Sequence, residues 1–493
     1  MMFQQVSRHS QSAVKLPLEV FRKRKGYHWF VVATVCIGAF MAAIDASIVN
    51  VALPSLQRQF HITMNEVEWV SLVYLLTLAT FIVTFGRLAD MIGRRWMYAS
   101  GFLVFMVSSL MCGLASEFTY LLIFRVFQAI GAAMLQANSI SIITAITPTS
   151  DRGKAIGIQA SAQGIGLFLG PVIGGALISL FGWRWLFFVN IPISLIGTTL
   201  AILVLPRDKV NTKREQFDFG GFILLTPTLI SIIYVLNMGL SQGWTSSIIV
   251  NCYIILTLGF TAFILLERSH TSPMVDLTLF KNSIFSFGNL SGMMSYIIMY
   301  GILLLTPFFI ENIMHLSIFS AGIFLTLVPL GMTIVTPFSG AMADKLGVRF
   351  PTMLGMGLAT IGSILLALAG GFGMLYFLIS GLFLVGLGMG TFTPPNNSSV
   401  MGSVPSHRLG VAGGILNMSR TFGMGIGVTL GGLTYQSFLA LNRGHQSQSY
   451  DMILAYRYSF LTLSIIGAIA FLISALRKHD VVKYPDYFFG DGI

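Results

Sequence analysis

Gly86-Arg-Leu-Ala-Asp90-Met-Ile-Gly93-Arg94-Arg95 returns 254 residues later as Gly340-Ala-Met-Ala-Asp344-Lys-Leu-Gly347-Val-Arg349. Each copy directly follows a long apolar run, so the pair marks one point of a duplicated membrane unit. Glycines permit the tight turn between two helices. The aspartate suits a facing helix N-terminus, and the arginines hold the loop on the cytoplasmic side. A short, charged, duplicated loop between spanning helices points to a secondary transporter.

A second repeat follows at an offset of 257. Pro148 pairs with Pro405, Gly153 with Gly410, and Gly166, Gly170, Gly174 and Gly175 with Gly423, Gly427, Gly431 and Gly432. Fourteen apolar spans are expected, near 28–53, 68–86, 96–115, 118–146, 154–181, 186–205, 219–240, 247–267, 284–310, 318–342, 351–370, 373–395, 409–437 and 457–476. Eight spans separate the repeats, so both copies share one orientation. The expected fold is therefore an all-α polytopic membrane protein. Two six-helix bundles, related by a pseudo-twofold axis along the membrane normal, flank a two-helix insert. The expected divisions are a basic tail (1–27), a first bundle (28–205), a linker (206–218), the hairpin (219–267), a second bundle (268–476) and a tail (477–493).

Composition agrees with that reading and removes others. The chain has 493 residues, 55% hydrophobic and 10% charged, with a mean hydropathy of +0.81. The net charge of +11 suggests nucleic acid only until the charges are placed. Most of the 29 lysines and arginines fall on one side of the drawn topology, the positive-inside pattern. Both termini are therefore expected in the cytoplasm, and the expected location is the cytoplasmic (inner) membrane. Arg22-Lys-Arg-Lys25 precedes the run Trp29–Leu53, which is too long for a signal-peptide core, so an uncleaved first helix is expected. Cys36, Cys112 and Cys252 lie in separate runs and have no metal-ligand spacing. No cofactor, metal or catalytic residue is expected, and no phosphate-binding Gly-x-x-x-x-Gly-Lys-Ser/Thr loop is present. An embedded enzyme would want clustered Ser, His or Asp near one face, and a receptor a sizeable sensing domain. Neither is found.

Ile44-Asp45-Ala-Ser-Ile-Val-Asn50-Val-Ala-Leu-Pro54, Arg125-Val-Phe-Gln128-Ala129-Ile-Gly131 and Gly166-Leu-Phe-Leu-Gly170-Pro171-Val-Ile-Gly174-Gly175 carry a family resemblance, together with Gly86–Arg95. With these stretches the chain resembles the major facilitator superfamily, and within it the fourteen-helix drug:proton antiporter branch. Ala129 departs from the family's glycine. The resemblance spans residues 30–476. It implies proton-driven export of small amphiphilic molecules by alternating access. Movement of an endogenous lipid, organic acid, siderophore or metabolite is the alternative. The implied partners are membrane lipids, protons and the cargo, not nucleic acid. A periplasmic adaptor and an outer-membrane channel stay open.

Charges inside a bilayer are costly and mark function. Three are expected well inside spans: Asp45, Arg125 and Arg420. Counted from the outer span ends, Asp45 lies roughly 12 Å deep and Arg125 roughly 10 Å, so the two can meet. Asp45 is the candidate proton carrier and Arg125 its tuning partner. A static buried ion pair is the structural alternative. Candidate substrate contacts are Asn50, Gln128, Gln136, Asn138, Gln163, Asn289, Tyr296, Asn396, Asn397 and Arg420, with Gln159 a further lining residue. Treating the three charges as lining one cavity leaves a net positive balance. That argues against dications and, with the antiporter resemblance, for neutral or monocationic amphiphiles. Gating is expected at Gly86, Asp90, Gly93, Arg94, Arg95, Asp151, Gly340, Asp344, Gly347 and Arg349. Asp90 is expected near Gly410, and Arg94 or Arg95 near Asp151. Gly166, Gly170, Pro171, Gly174 and Gly175 are expected to let helices 5 and 10 slide. Glu311 and His315, at i, i+4 spacing, are read as a solvated helix-end pair.

Overall fold

The computed structural model describes residues 26–148, 151–206, 218–269, 275–369, 374–405, 409–442 and 448–477. Fourteen helices among them are long and apolar enough to cross a membrane. The first seven are α1 (Tyr27–Phe60), α2 (Met64–Ile92), α3 (Arg94–Leu114), α4 (Phe118–Ile146), α5 (Arg152–Phe181), α6 (Trp185–Phe188 and Asn190–Val204) and α7 (Phe219–Gln242). The others are α8 (Ser247–Ser269), α9 (Ser283–Asn312), α10 (Ile318–Leu325 and Leu327–Leu346), α11 (Arg349–Leu368), α12 (Met374–Gly402), α13 (Leu409–Asn442) and α14 (Gln448–Ala475). An even number of crossings returns Ala475 to the side on which Tyr27 starts. We call that side the terminal face and the opposite one the distal face.

The repeated loops turn alike. Gly93 and Gly347 hold φ of 100° and 78°, a region that disfavours side chains, and each separates two helices on the terminal face. The side chains of Asp90 and Asp344 lie outside the described residues, and with them the expected approach of Asp90 to Gly410. Several helices run longer than their apolar cores. The largest consequence is at α2, which begins at Met64 behind a capping box. Thr63 accepts from the Glu66 amide, and the Glu66 carboxylate accepts from Thr63 N at 2.7 Å. Glu68 is thereby drawn inside the helix with no exposed surface. The expectation of three intramembrane charges is corrected, because Thr63-Met64-Asn65-Glu66 starts the helix four residues early.

The second repeat has a packing meaning. A Cβ placed on Gly166, Gly170 or Gly174 would lie 2.6, 3.2 and 3.2 Å from the carbonyl oxygens of Phe40, Ile44 and Ile48 on α1. On Gly423, Gly427 and Gly431 it would lie 2.5, 2.4 and 3.3 Å from those of Met293, Ile297 and Gly301 on α9. The six carbonyls keep one offset, 253 residues, so α5 on α1 and α13 on α9 are the same joint built twice. Small residues let these backbones touch. Helices 5 and 10 were expected to share all of the α5 glycines, and this is corrected. Three face α1, and only Gly175, against Ile318 and Phe319, faces α10 together with Pro171.

The helix groups meet at the distal face. Arg58 at the end of α1 pairs with Glu311 of α9 at 2.6 Å, and Gln436 of α13 donates to Asn65 of α2. Gly322 of α10 abuts the Pro171 carbonyl of α5. Glu311 is thus an inter-helix ion pair, not the solvated helix-end pair expected with His315. On the terminal side, Gly157 and Gly164 of α5 and Gly340 of α10 have nothing within 4 Å of a built Cβ. The molecule is closed distally. The pair α7–α8 lies along α2 and α13, with Phe222 on Phe81 and Tyr234 on Trp69.

Candidate functional site

At mid-span, α1 and α6 each turn one polar side chain, and α4 turns two, to a shared point. Arg125 Nη1 donates to Asp45 Oδ2 at 2.8 Å, with the two side chains 1% and 0% exposed. Asp45 Oδ1 accepts from Gln128 Nε2 at 2.9 Å and from Asn190 Nδ2 at 3.0 Å. Arg125 also donates to Gln128 Oε1 and, through Nε, to the Val70 carbonyl at 3.1 Å. Its guanidinium stacks 4.2 Å over the Tyr74 ring, and Gln128 reaches Ser109. Every partner of Asp45 is a donor, which suits an ionised carboxylate. The helical depths counted from sequence do bring Asp45 and Arg125 together.

Arg420 stands apart from them. It donates to the Tyr296 hydroxyl, and its guanidinium lies 4.7 Å from that ring's centroid. Tyr300 lies one turn further along α9 and is buried. Arg420 is only half-buried, whereas the Asp45–Arg125 pair is sealed. The premise of one cavity holding all three charges is therefore corrected. Among them, the partly accessible charge is a cation.

The other polar candidates divide by what they already hold. Asn50 donates to Ala46 O and accepts from Ser71, both inside the first helix group. Asn396 donates to Gly288 O and accepts from Arg477, which closes it into a joint between α9 and α12. Asn138 and Asn289 each donate to a carbonyl of their own helix and leave a buried Oδ1 without a hydrogen-bond partner. Gln136, Gln163 and Asn397 are half-buried, and Gln159 is nearly buried. Of the gating candidates, Gly86 approaches Ala137 of α4. Arg94 donates to Ser141 O at 3.1 Å, and Arg95 donates to Ile202 O. Arg349 opens α11. Asp151 has His28 at 3.4 Å.

A family model described as Major Facilitator Superfamily matches residues 35–428 and 289–486. The chain belongs to the major facilitator superfamily. It is 32% identical over 460 residues to the riboflavin transporter RibZ of Clostridioides difficile, covering 92% of this chain and 98% of that one. It is 31% identical over 405 residues to the multidrug resistance protein Stp of Mycobacterium tuberculosis, covering 82% and 75%. A solved bacterial homologue of the human lysosomal transporter Spinster, inward-facing and unoccupied, superposes with a TM-score of 0.66. The identity there is 17%, over 92% of this chain and 97% of that one. These relatives and this fold are those of transporters, not enzymes.

In this superfamily member several site residues escaped the sequence. Asn190 and Tyr74 complete the ion pair's shell, yet one asparagine and one tyrosine in apolar runs carry little signal. A depth count would have found Asn190, five residues into the sixth span as Arg125 is seven into the fourth. Glu68 was legible only through the capping box that starts α2, and its partner Asn237 only in the packed bundle.

Proposed function

We propose that this chain is a proton-coupled exporter of small amphiphilic molecules, working by alternating access in a cytoplasmic membrane with its terminal face inside. The distribution of lysine and arginine supports that orientation. On this reading the described conformation is inward-facing. The observation that carries the coupling is the Asp45–Arg125 pair, a carboxylate sealed at mid-span and able to exchange Arg125 for a proton when the helix groups move. An inward-facing state with Asp45 paired to Arg125 fits the step after proton release to the cytoplasm. The test is flux of a compound panel in proteoliposomes with and without an imposed pH gradient. Uphill movement that persists when the gradient is collapsed would remove proton coupling.

The cargo reading shifts with the structure. Arg420 with Tyr296 offers a cation and an aromatic face and, among the described residues, no carboxylate paired with it, which favours neutral or anionic amphiphiles over the monocations expected from sequence. It also favours, as a second reading, a polar aromatic metabolite of the kind that the relative RibZ is named for. Arg420→Gln separates the readings. Loss of transport tenfold or more for anionic compounds, with neutral ones spared, is the expected result. Unchanged selectivity would make Arg420 a structural strut to Tyr296.

A further inference from the structure

We propose that Glu68 is a second proton-binding site of this transporter, and that its protonated form latches the distal mouth. The inference rests on the alternating-access reading. Glu68 sits on α2 where that helix meets α13 and α7, and its side chain has no exposed surface. Oε2 accepts from Asn237 Nδ2 of α7 at 2.7 Å, while Oε1 is buried without a hydrogen-bond partner. The carboxyl fills the space left by Gly432 of α13, where a built Cβ would lie 1.7 Å from Oε1.

The pseudo-symmetry of the fold sharpens the point. The residue 254 positions after Glu68 is Gly322, which packs on Pro171 and Gly175 of α5 in the other arm of the same mouth. Gly175 is in turn the repeat counterpart of Gly432. One arm thus closes glycine on glycine, and the other closes an acid on glycine. Packing alone explains a glycine in both arms but not a carboxyl group in one of them.

Among the described residues, no cation answers Glu68 across the seam. From α13 the facing residue is Gly432, with the neutral Gln436 one turn on. The titratable Tyr435 of α13 stacks on Tyr456. From α7 it meets Asn237, and Tyr234 lies on Trp69. From α4, Arg125 is committed to Asp45, Gln128, Val70 O and Tyr74. Arg58 is held by Glu311, and Arg457 is exposed. A bare carboxylate with one amide donor is costly to enclose, whereas the neutral acid fills the same volume without charge. When α2 and α13 part, water reaches the group and it ionises. Closing the mouth therefore takes up one proton from the distal side, and acid on that side favours the closed, inward-facing form.

The neighbouring Arg58–Glu311 pair carries the opposite sign. Protonating Glu311 removes the attraction and opens the mouth in acid, so the two latches are separable by direction.

The test places spin labels at Gln59→Cys and Leu441→Cys, both exposed on the distal side, with Cys36, Cys112 and Cys252 replaced by alanine. Distances are read in lipid nanodiscs from pH 5 to 9. The expected open-to-closed ratio rises about tenfold per pH unit above a midpoint, the slope of a single proton. Glu68→Gln, which keeps the volume without the charge, is expected to stay closed as the pH rises, leaving only the acid-side opening of the Arg58–Glu311 pair. Asn237→Leu removes a donor that favours the anion and moves the midpoint upward. A Glu68→Gln profile that follows the parent overturns the proposal, as does a parent that fails to open as the pH rises. A parent distance that ignores pH but responds to transported compound also overturns it, while leaving alternating access intact. A distance that answers to neither removes both.

Discussion

Asp45→Asn is expected to abolish uphill, gradient-driven export. The amide cannot titrate, so no proton is carried, and downhill exchange is the activity that can survive. On composition alone this exchange of similar volumes promises normal folding. The hydrogen bonds indicate otherwise. Asp45 Oδ1 accepts from both Gln128 and Asn190, so an asparagine must keep its oxygen there and turn its NH2 toward Arg125. Two donors would then face each other, and a sealed guanidinium would lose its counter-charge. Breaking a buried pair in this way costs about 3–5 kcal/mol. The variant is expected at reduced yield and lower melting temperature, with no gradient-driven flux from whatever folds. Asp45→Asn combined with Arg125→Gln is expected to recover stability without recovering coupling. Full uphill transport by Asp45→Asn would end its assignment as proton carrier.

Gly322→Val is expected to slow transport by a different route and to leave folding nearly untouched. A Cβ on Gly322 would come within 2.3 Å of the Pro171 carbonyl oxygen and 3.4 Å of Gly175 Cα, both on the opposite helix group. The clash exists only while the distal mouth is shut. Overpacking of this kind costs about 1–3 kcal/mol. Charged to the closed state alone, it moves the equilibrium toward the open mouth roughly ten- to a hundredfold. Turnover should fall by a similar factor, with protein yield and dispersity like the parent. Gly166→Val is the contrasting variant. Its Cβ meets α1 backbone inside one bundle, so it is expected to lower the amount of folded protein and to do so in every conformation. Parent-like turnover by Gly322→Val would show that the contact between α5 and α10 does not gate the cycle.

The prediction for Gly322 depends on which neighbour each glycine meets, and this is where sequence reasoning reached its limit. The duplicated loops and the 257-residue offset announced a doubled six-helix unit, because small residues and charged turns recur only where the same joint is built twice. They did not say that Gly166, Gly170 and Gly174 face α1 while Gly175 faces α10. Adjacent residues on a helix point about 100° apart, and nothing in the spacing names the helix on each side.

The charges divide in the same way. Asp45 and Arg125 stood out because an ionisable residue deep in an apolar run is costly, and their depths followed from helical rise alone. The acceptors and donors that seal them come from α2, α4 and α6, residues remote in sequence whose meeting is a property of the packed bundle. Arg420 was equally visible, yet the sequence placed it in the same cavity as Asp45, and only the packing of α13 on α9 gave it Tyr296 instead. Glu68 is the reverse case, a residue near an expected span edge that the capping box draws under cover.

Local physics therefore determined the fourteen apolar crossings, their repeat and the two principal charges. Each follows from residues close in sequence and from the cost of placing polarity in lipid. Contacts between segments 80 to 371 residues apart decided which face of each helix meets a partner, which end of the molecule is shut and which carboxylates are sealed. Such contacts depend on the relative rotation and tilt of whole helices. In a membrane those are set by van der Waals fit among near-equivalent apolar faces, a competition that no single stretch of sequence records.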